Sequence, residues 1–552
     1  MKMAFIFSTD YLDSMDCSAL RKEVLNQVLC NDMPFIFVLG SRNQAYTPNA
    51  IVNMLGGCFT SRDYRSIDLI ELGLASDLNL AIINLMLNSY GYDSFISFND
   101  DIINGFLFEG HDKMNKIDGC KGDLFTCYSI AEEVNLNTII GAIDTDKLNS
   151  SQLNDVSKIL SYVKVESDRK KRLYIDISTL IHFDHATGIQ RVVKELAKQI
   201  MSFNLSYDCK LIYSYPKHEH FYEADVLEYR YKTQSEESIE KHMIDFIDGD
   251  KILFLDLHPS NAYTKKDIIK SLQLRGVESY FIVYDLLPIS HPHCFVQELV
   301  DDFKSWLETV ASSNGALCIS KDVKNKLEQW ISSSGIYNYP HFRNEYFYLG
   351  ADFDVSTVKN NDKPNQDTVI RNYIDDDSYN VFLMVGTVEP RKGHKDVIEA
   401  FERLWKLDRN EVLVIVGKPG WRNEALITKI ESHPMLGKRM FWLQGVSDGY
   451  LDYLYRNSTC LISASEGEGF GLPLIEASQY NLPIIARDIP VFREVAGDGA
   501  YYFDSEDIVV AIVKWVELYE NNKHPVSSNI KCLTWNESAK QMLKILEIEV
   551  NR

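Results

Sequence analysis

At 552 residues the chain is long enough for about three or four domains, and 45% hydrophobic with 25% charged residues is an ordinary globular balance. A formal net charge of −22 argues against a general nucleic-acid binder and against broad adsorption to anionic lipid, while leaving room for a local basic site. Ten cysteines without CxxC pairs or Cys/His zinc spacing point to a reduced, cytoplasmic interior.

The first apolar run, residues 4–7, is too short for a secretory signal, and no run approaches the roughly 20 apolar residues of a membrane span. Any membrane contact is therefore expected to be peripheral. Within residues 1–165, short apolar runs at 4–7, 35–39, 94–97 and 138–141 read as strands. Amphipathic stretches at 18–29, 72–90 and 152–162 read as helices. This alternation predicts an additional α/β domain whose residues do not declare a role. The turn after residues 35–39 lacks both GxGxxG and a Walker lysine, and Asp144-Thr145-Asp146 reads as a solvated triplet rather than a metal clamp. The charged run Glu166-Ser167-Asp168-Arg169-Lys170-Lys171-Arg172 reads as a solvated link and a domain boundary.

A second β/α unit is expected over residues 172–358. A strand at 173–177 leads to the turn Thr187-Gly188-Ile189-Gln190-Arg191 and a helix over 192–201. Gly188 lets a substrate approach the backbone there. Strands follow at 210–213, 252–255 and 280–283, and the last runs into Tyr284-Asp285. Ligands of open α/β sheets bind beyond the carboxyl ends of strands, which makes Asp285 a candidate. His291 and His293 read as turn and surface residues. A helix over 296–310, a strand at 316–319, a helix over 321–332 capped by Ser320 and a strand at 346–350 complete the unit. The polar stretch 359–377 reads as a second link. The third unit, 378–530, opens with a strand over 381–387 and the turn Glu389-Pro390-Arg391-Lys392-Gly393-His394. It continues with strands at 412–416, 441–443, 460–462 and 483–486. The last segment, 531–552, reads as a helix returning to the preceding domain.

The third unit carries the densest chemistry. In Ser465-Glu466-Gly467-Glu468-Gly469-Phe470-Gly471-Leu472-Pro473, three glycines separate a strand from a helix, and amides at that helix start form a phosphate seat. Glu468 and Glu476 flank it, which suits a ligand with phosphates and hydroxyls, such as a nucleotide sugar. The competing reading is a glycine turn with two solvated glutamates. Arg391-Lys392 at another strand end would neutralise a diphosphate, most of all as a leaving group gains charge. A doubly wound sheet collects Gly386, Arg391, Lys392, Gly417, Lys418, Gly445, Val446 and the 469–472 loop on one rim.

The segments Gly386-Thr387-Val388-Glu389-Pro390-Arg391-Lys392-Gly393-His394, Val416-Gly417-Lys418-Pro419-Gly420-Trp421 and Glu468-x7-Glu476 resemble family 4 glycosyltransferases of the GT-B fold. Within that family they look most like bacterial mannosyl- and rhamnosyltransferases of surface-polysaccharide synthesis. Thr187-Gly188-Ile189-Gln190-Arg191, Tyr284-Asp285-Leu286-Leu287-Pro288 and Leu349-Gly350-Ala351-Asp352 also match, so the likeness runs from about residue 173 onward. The resemblance implies two Rossmann-like domains (GT-B) around a cleft, behind the additional N-terminal α/β domain, and a retaining, metal-independent transfer. It assigns Arg391 and Lys392 to the donor diphosphate, Glu468 to the donor sugar and Glu476 to the ribose. The amides of Gly471 and Leu472 would hold phosphate, with Gly386 and Val446 lining the donor site. Gly188 would lie near the diphosphate and Asp285 near the transferred sugar and acceptor. Many relatives carry histidine where Tyr284 stands. No cofactor is implied: the substrates are a nucleotide sugar, GDP-mannose first, and a glycan or lipid-linked glycan, with possible contact to the inner membrane or an assembly complex. A decayed binding or scaffold subunit and a bifunctional enzyme with its own N-terminal activity are the alternatives.

Overall fold

The computed structural model describes residues 168–551 apart from 185–186, 216–219, 225–242, 260–263, 337–340, 353–366, 421–422 and 505–506, together with the backbone of six strands nearer the N-terminus. Those strands are β1 (Met3–Ser8), β2 (Phe35–Leu39), β3 (Asp68–Leu72), β4 (Ser94–Ser97), β5 (Lys116–Gly122) and β6 (Phe125–Ser129). They form one sheet in the order β3-β2-β1-β4-β6-β5, parallel from β3 to β4 and closed by an antiparallel β5/β6 edge. The strands expected at 4–7, 35–39 and 94–97 fall on β1, β2 and β4. Leu72, where the helix over 72–90 was expected to begin, ends β3; the rest of that helix, the helices expected at 18–29 and 152–162, the strand expected at 138–141 and Asp144-Thr145-Asp146 lie outside the described residues.

Two further sheets follow, each Rossmann-like. The first takes the order β13-β12-β11-β10-β7-β8-β9. Its members are β7 (Arg172–Asp176), β8 (Asp208–Ser214), β9 (Phe221–Glu223), β10 (Lys251–Phe254), β11 (Glu278–Val283), β12 (Gly315–Cys318) and β13 (Arg343–Tyr346). All pairs are parallel except β8/β9. The second is wholly parallel in the order β16-β15-β14-β17-β18-β19. It contains β14 (Asn380–Val385), β15 (Glu411–Val416), β16 (Met440–Leu443), β17 (Cys460–Ser463), β18 (Ile484–Arg487) and β19 (Tyr501–Phe503). Helices cover both faces of these sheets, so central strands are apolar on both sides: every residue of β15 is buried.

The helix Gly188–Ser202 starts in a capping box between Thr187 and Gln190 and buries Val192, Val193, Leu196, Ala197 and Ile200. The helix Trp535–Ile545, with its own Thr534/Glu537 capping box, packs against it. Around that contact, the Trp535 N–H donates to Asp352 Oδ1 at 2.6 Å and Ser538 Oγ to the Tyr348 carbonyl at 2.7 Å. The chain thus leaves the last sheet and closes on the one before it.

Three expectations are corrected. Within the stretch read as a polar link, Asp367–Ile374 is a helix that buries Ile370 completely. Polar flanks had masked its short apolar stripe. The strand expected at 346–350 lies at Arg343–Tyr346, where β12 supplies the ladder. The basic run before β7 is no mere solvated link, because Arg169 Nη2 meets the fully buried Asp250 at 2.5 Å. No helix among the described residues is long and apolar enough to cross a membrane.

Candidate active site

The rim of the last sheet is built at its topological switch point, where β14 lies between β15 and β17. After β14 the chain turns at Gly386, whose φ of +147° favours glycine and whose N–H donates to the Val416 carbonyl at 2.9 Å. A short turn, Pro390–Lys392, then presents Arg391 and Lys392 ahead of the helix His394–Lys406. The Glu466 N–H donates to the Arg391 carbonyl at 2.8 Å, tying this turn to the loop after β17.

The four residues expected to do chemistry are brought together across two domains. Lys392 Nζ lies 2.5 Å from Glu468 Oε1, and Arg391 Nη1 lies 3.3 Å from Glu468 Oε2. Ser465 Oγ donates to Glu468 Oε1 at 2.7 Å, and Arg391 Nε pairs with Glu389 at 3.0 Å. Burial pushes the Glu468 carboxyl up, but Lys392 and Arg391, with hydrogen bonds from Lys392 and Ser465, overcome it and hold the group at about 2. Asp285 arrives from the other sheet, just beyond β11, and accepts the Leu287 N–H at 3.0 Å. Burial raises its carboxyl, against the pull of Arg391, and Glu468 raises it further. One cationic pair therefore faces two carboxylates of opposite tendency, one firmly ionised and one easier to protonate.

Glu476 lies on the helix Leu472–Gln479 and is buried. Tyr455 Oη donates to its Oε2 at 2.6 Å, and Arg191 Nη1 from the facing domain meets its Oε1 at 2.7 Å. Gly188 begins the helix that carries Arg191, and a side chain added there would meet nothing within 4 Å. Val446 follows Gly445 beyond β16 and is half-buried; Leu472 opens the helix after Gly471.

The glycines of the loop differ in role from the sequence reading. A Cβ on Gly469 would fall 1.9 Å from the Tyr284 carbonyl oxygen, and one on Gly467 would fall 2.6 Å from Leu287 Cδ2. The Gly469 carbonyl also accepts Ser320 Oγ at 2.7 Å. These two glycines admit the opposite domain. Gly471, with φ +103°, sets the helix start. Tyr284 turns its ring inward, its Oη donating to the Leu255 carbonyl at 2.7 Å, and offers the cleft its main chain. His291 stands beside Gly467, with its ring 6.1 Å from that of His293. Among the described residues no group of three or more His, Cys, Asp or Glu is placed to hold a metal ion.

Sequence reasoning assigned no part to Arg191, Glu389, Ser465 or Tyr455. Arg191, Glu389 and Ser465 lie within the sequence motifs, and Arg191 is also three residues after Gly188, on the same face of one helix.

The family described as "Glycosyl transferases group 1" matches residues 365–542. The serotype-specific mannosyltransferase WbdA of Escherichia coli is 37% identical over 385 residues, covering 68% of this chain and 46% of the relative. A second WbdA is 34% identical over 429 residues, covering 74% and 52%. The O-antigen chain mannosyltransferase RfbU of Salmonella typhimurium is 27% identical over 227 residues, covering 41% and 56%. The chain spans about half the length of the curated relatives it matches. Among solved structures, Anabaena Alr3699/HepE in complex with UDP and glucose aligns at 12% identity and a TM-score of 0.46, over 68% of this chain and 99% of that one. Residues 365–542 thus match the glycosyl transferases of group 1, and the chain is similar over about two thirds of its length to bacterial O-antigen mannosyltransferases.

Proposed function

We propose that the chain is a retaining mannosyltransferase. It moves mannose from GDP-mannose to a glycan or lipid-linked glycan in bacterial surface-polysaccharide synthesis. The observation that carries this reading is the cluster of Asp285, Arg391, Lys392 and Glu468, drawn from facing rims of two Rossmann-like sheets. Kinship with proteins named mannosyltransferases supports the choice of sugar.

In this reading the nucleotide lies along the donor-side rim. Glu476 holds the ribose, the amides of Gly471 and Leu472 hold phosphate, and Gly386 and Val446 line the pocket. Gly188 leaves open space on the opposite wall near the diphosphate. Glu468 accepts hydroxyls of the mannosyl group and orients Arg391 and Lys392 through the pairs described above. As the bond between mannose C1 and the diphosphate oxygen breaks, negative charge grows on the leaving group, and these fixed cations stabilise it without reorganisation. The acceptor oxygen bonds to C1 on the face the diphosphate leaves, and the departing phosphate oxygen takes the acceptor's proton. Asp285 positions the acceptor hydroxyl beside C1. A lipid-linked acceptor places this work at the cytoplasmic face of the inner membrane, reached peripherally.

Arg391→Ala and Glu468→Ala are expected each to abolish mannosyl transfer while the chain stays folded by circular dichroism. Full activity in Arg391→Ala contradicts the assignment. Wild-type chain that binds GDP without turnover, in the presence of donor and acceptor, favours the scaffold alternative.

A further inference from the structure

Glu476 is held from two domains at once. Its Oε2 accepts the Tyr455 hydroxyl at 2.6 Å, and its Oε1 is met by Arg191 Nη1 at 2.7 Å. If Glu476 receives a ribose, as in the reading above on which this inference rests, the oxygen left for it is the one Arg191 occupies. The phosphate seat is close: Leu472 and Glu476 are four residues apart on one helix, about 6 Å along its axis. Arg191 therefore stands within a side-chain swing of a diphosphate bound at that helix start.

Holding the domains together does not require this pair. The Glu494 carboxylate, from the donor side, accepts the Lys321 and Asp322 N–H groups at 2.6 and 2.8 Å, and Ser320 bonds the Gly469 carbonyl. The helix Trp535–Ile545 clasps the acceptor side as well. Arginine suits the exchange, since its fork of donors matches carboxylate and phosphate alike.

We propose that Arg191 is a donor-binding residue supplied by the acceptor-side domain: its guanidinium passes from Glu476 to the diphosphate when the nucleotide enters, releasing Glu476 to the ribose. One charge pair is exchanged for another, and the facing domain grips the nucleotide through the diphosphate. The nucleoside alone leaves Arg191 on Glu476.

The test is calorimetric titration of the full chain with GDP and with guanosine, in wild type, Arg191→Gln, Arg191→Lys, Glu476→Gln and the double variant Arg191→Gln/Glu476→Gln. Arg191→Gln is expected to weaken GDP binding about ten- to a hundredfold without weakening guanosine binding, since the Glu476 oxygen is then open to the ribose. Arg191→Lys is expected to retain part of the GDP affinity. The double variant guards against misfolding caused by a stranded buried carboxylate, and it is expected to lose the same preference for GDP over guanosine. The proposal is overturned if GDP and guanosine affinities change by one common factor, or if neither changes. The underlying ribose reading fails separately, if Glu476→Gln leaves GDP affinity intact. UDP with uridine replaces the pair if a thermal-shift screen selects it, and wild-type chain that binds neither diphosphate overturns both.

Discussion

Replacing Glu468 by Gln removes one negative charge from the centre of the site and keeps its shape. The side chain is 13% exposed and lies between Lys392 and Arg391. Burial opposes its ionisation, yet those two cations and the Ser465 hydroxyl hold the carboxyl at about 2, against an ordinary value of 4.5. At about 1.4 kcal/mol for each pH unit, the difference is worth roughly 3 kcal/mol to the folded state at neutral pH. The folded value lies below the unfolded one, so the unfolded chain binds the extra proton in the window between them. Stability is therefore fully present above pH 4.5 and is lost as the pH falls toward 2. Urea unfolding of wild type and Glu468→Gln, followed by circular dichroism, measures it. The variant is expected to be less stable by about 3 kcal/mol at pH 7 and by roughly half as much near pH 3. Equal stabilities at pH 7, or a gap that does not shrink on acidification, refute the reasoning.

The other predictions are independent of that carboxylate. Gly469→Ala puts a methyl against the Tyr284 carbonyl, which is backbone and cannot swing aside. We expect a loss of about 1–3 kcal/mol in thermal or urea unfolding and a fall in transfer of at least about tenfold, and an unaltered melt would refute the contact. Asp176, buried at the end of β7, is pushed by burial to about 6 despite its hydrogen bonds from Ser178. The folded chain binds that proton more tightly, so stability falls as the pH rises from 3.8 through 6. Asp176→Asn should therefore gain on wild type between pH 4 and pH 8 by up to about 3 kcal/mol, and a pH-independent difference would exclude the effect. Glu494→Gln weakens the anion seated on the N-terminus of the helix Lys321–Ser334, and is expected to cost about 1 kcal/mol and to widen the scattering profile of the free chain. An unchanged profile would leave no role for that clasp in holding the domains together.

Much of the last Rossmann-like domain was legible because its signals are local. Apolar runs such as Val412 to Val416 give strands that need no partner to be recognised, and Pro473 marks a helix start. The convergence of Arg391, Lys392 and Glu468 follows from strand order, since β14 and β17 are neighbours in the sheet. What stayed hidden depends on the facing domain. Gly469 reads as a ligand-approach glycine until Tyr284 is seen beside it, and the partner of Glu476 lies 285 residues away. Short helices escaped for another reason. Glu424–Glu431 and Pro490–Ala496 span about two turns, and neither has a side-chain cap to announce it.

The central claim, same-face transfer of mannose, is tested most directly by the anomeric configuration of the product. The full chain is incubated with GDP-α-mannose and a mannose-terminated acceptor, and the new linkage is read by one-bond carbon–proton coupling in nuclear magnetic resonance. An α-linked mannose, absent in Arg391→Ala, is the predicted result. A β-linked product, or no product from GDP-mannose alongside transfer from another nucleotide sugar, would contradict it.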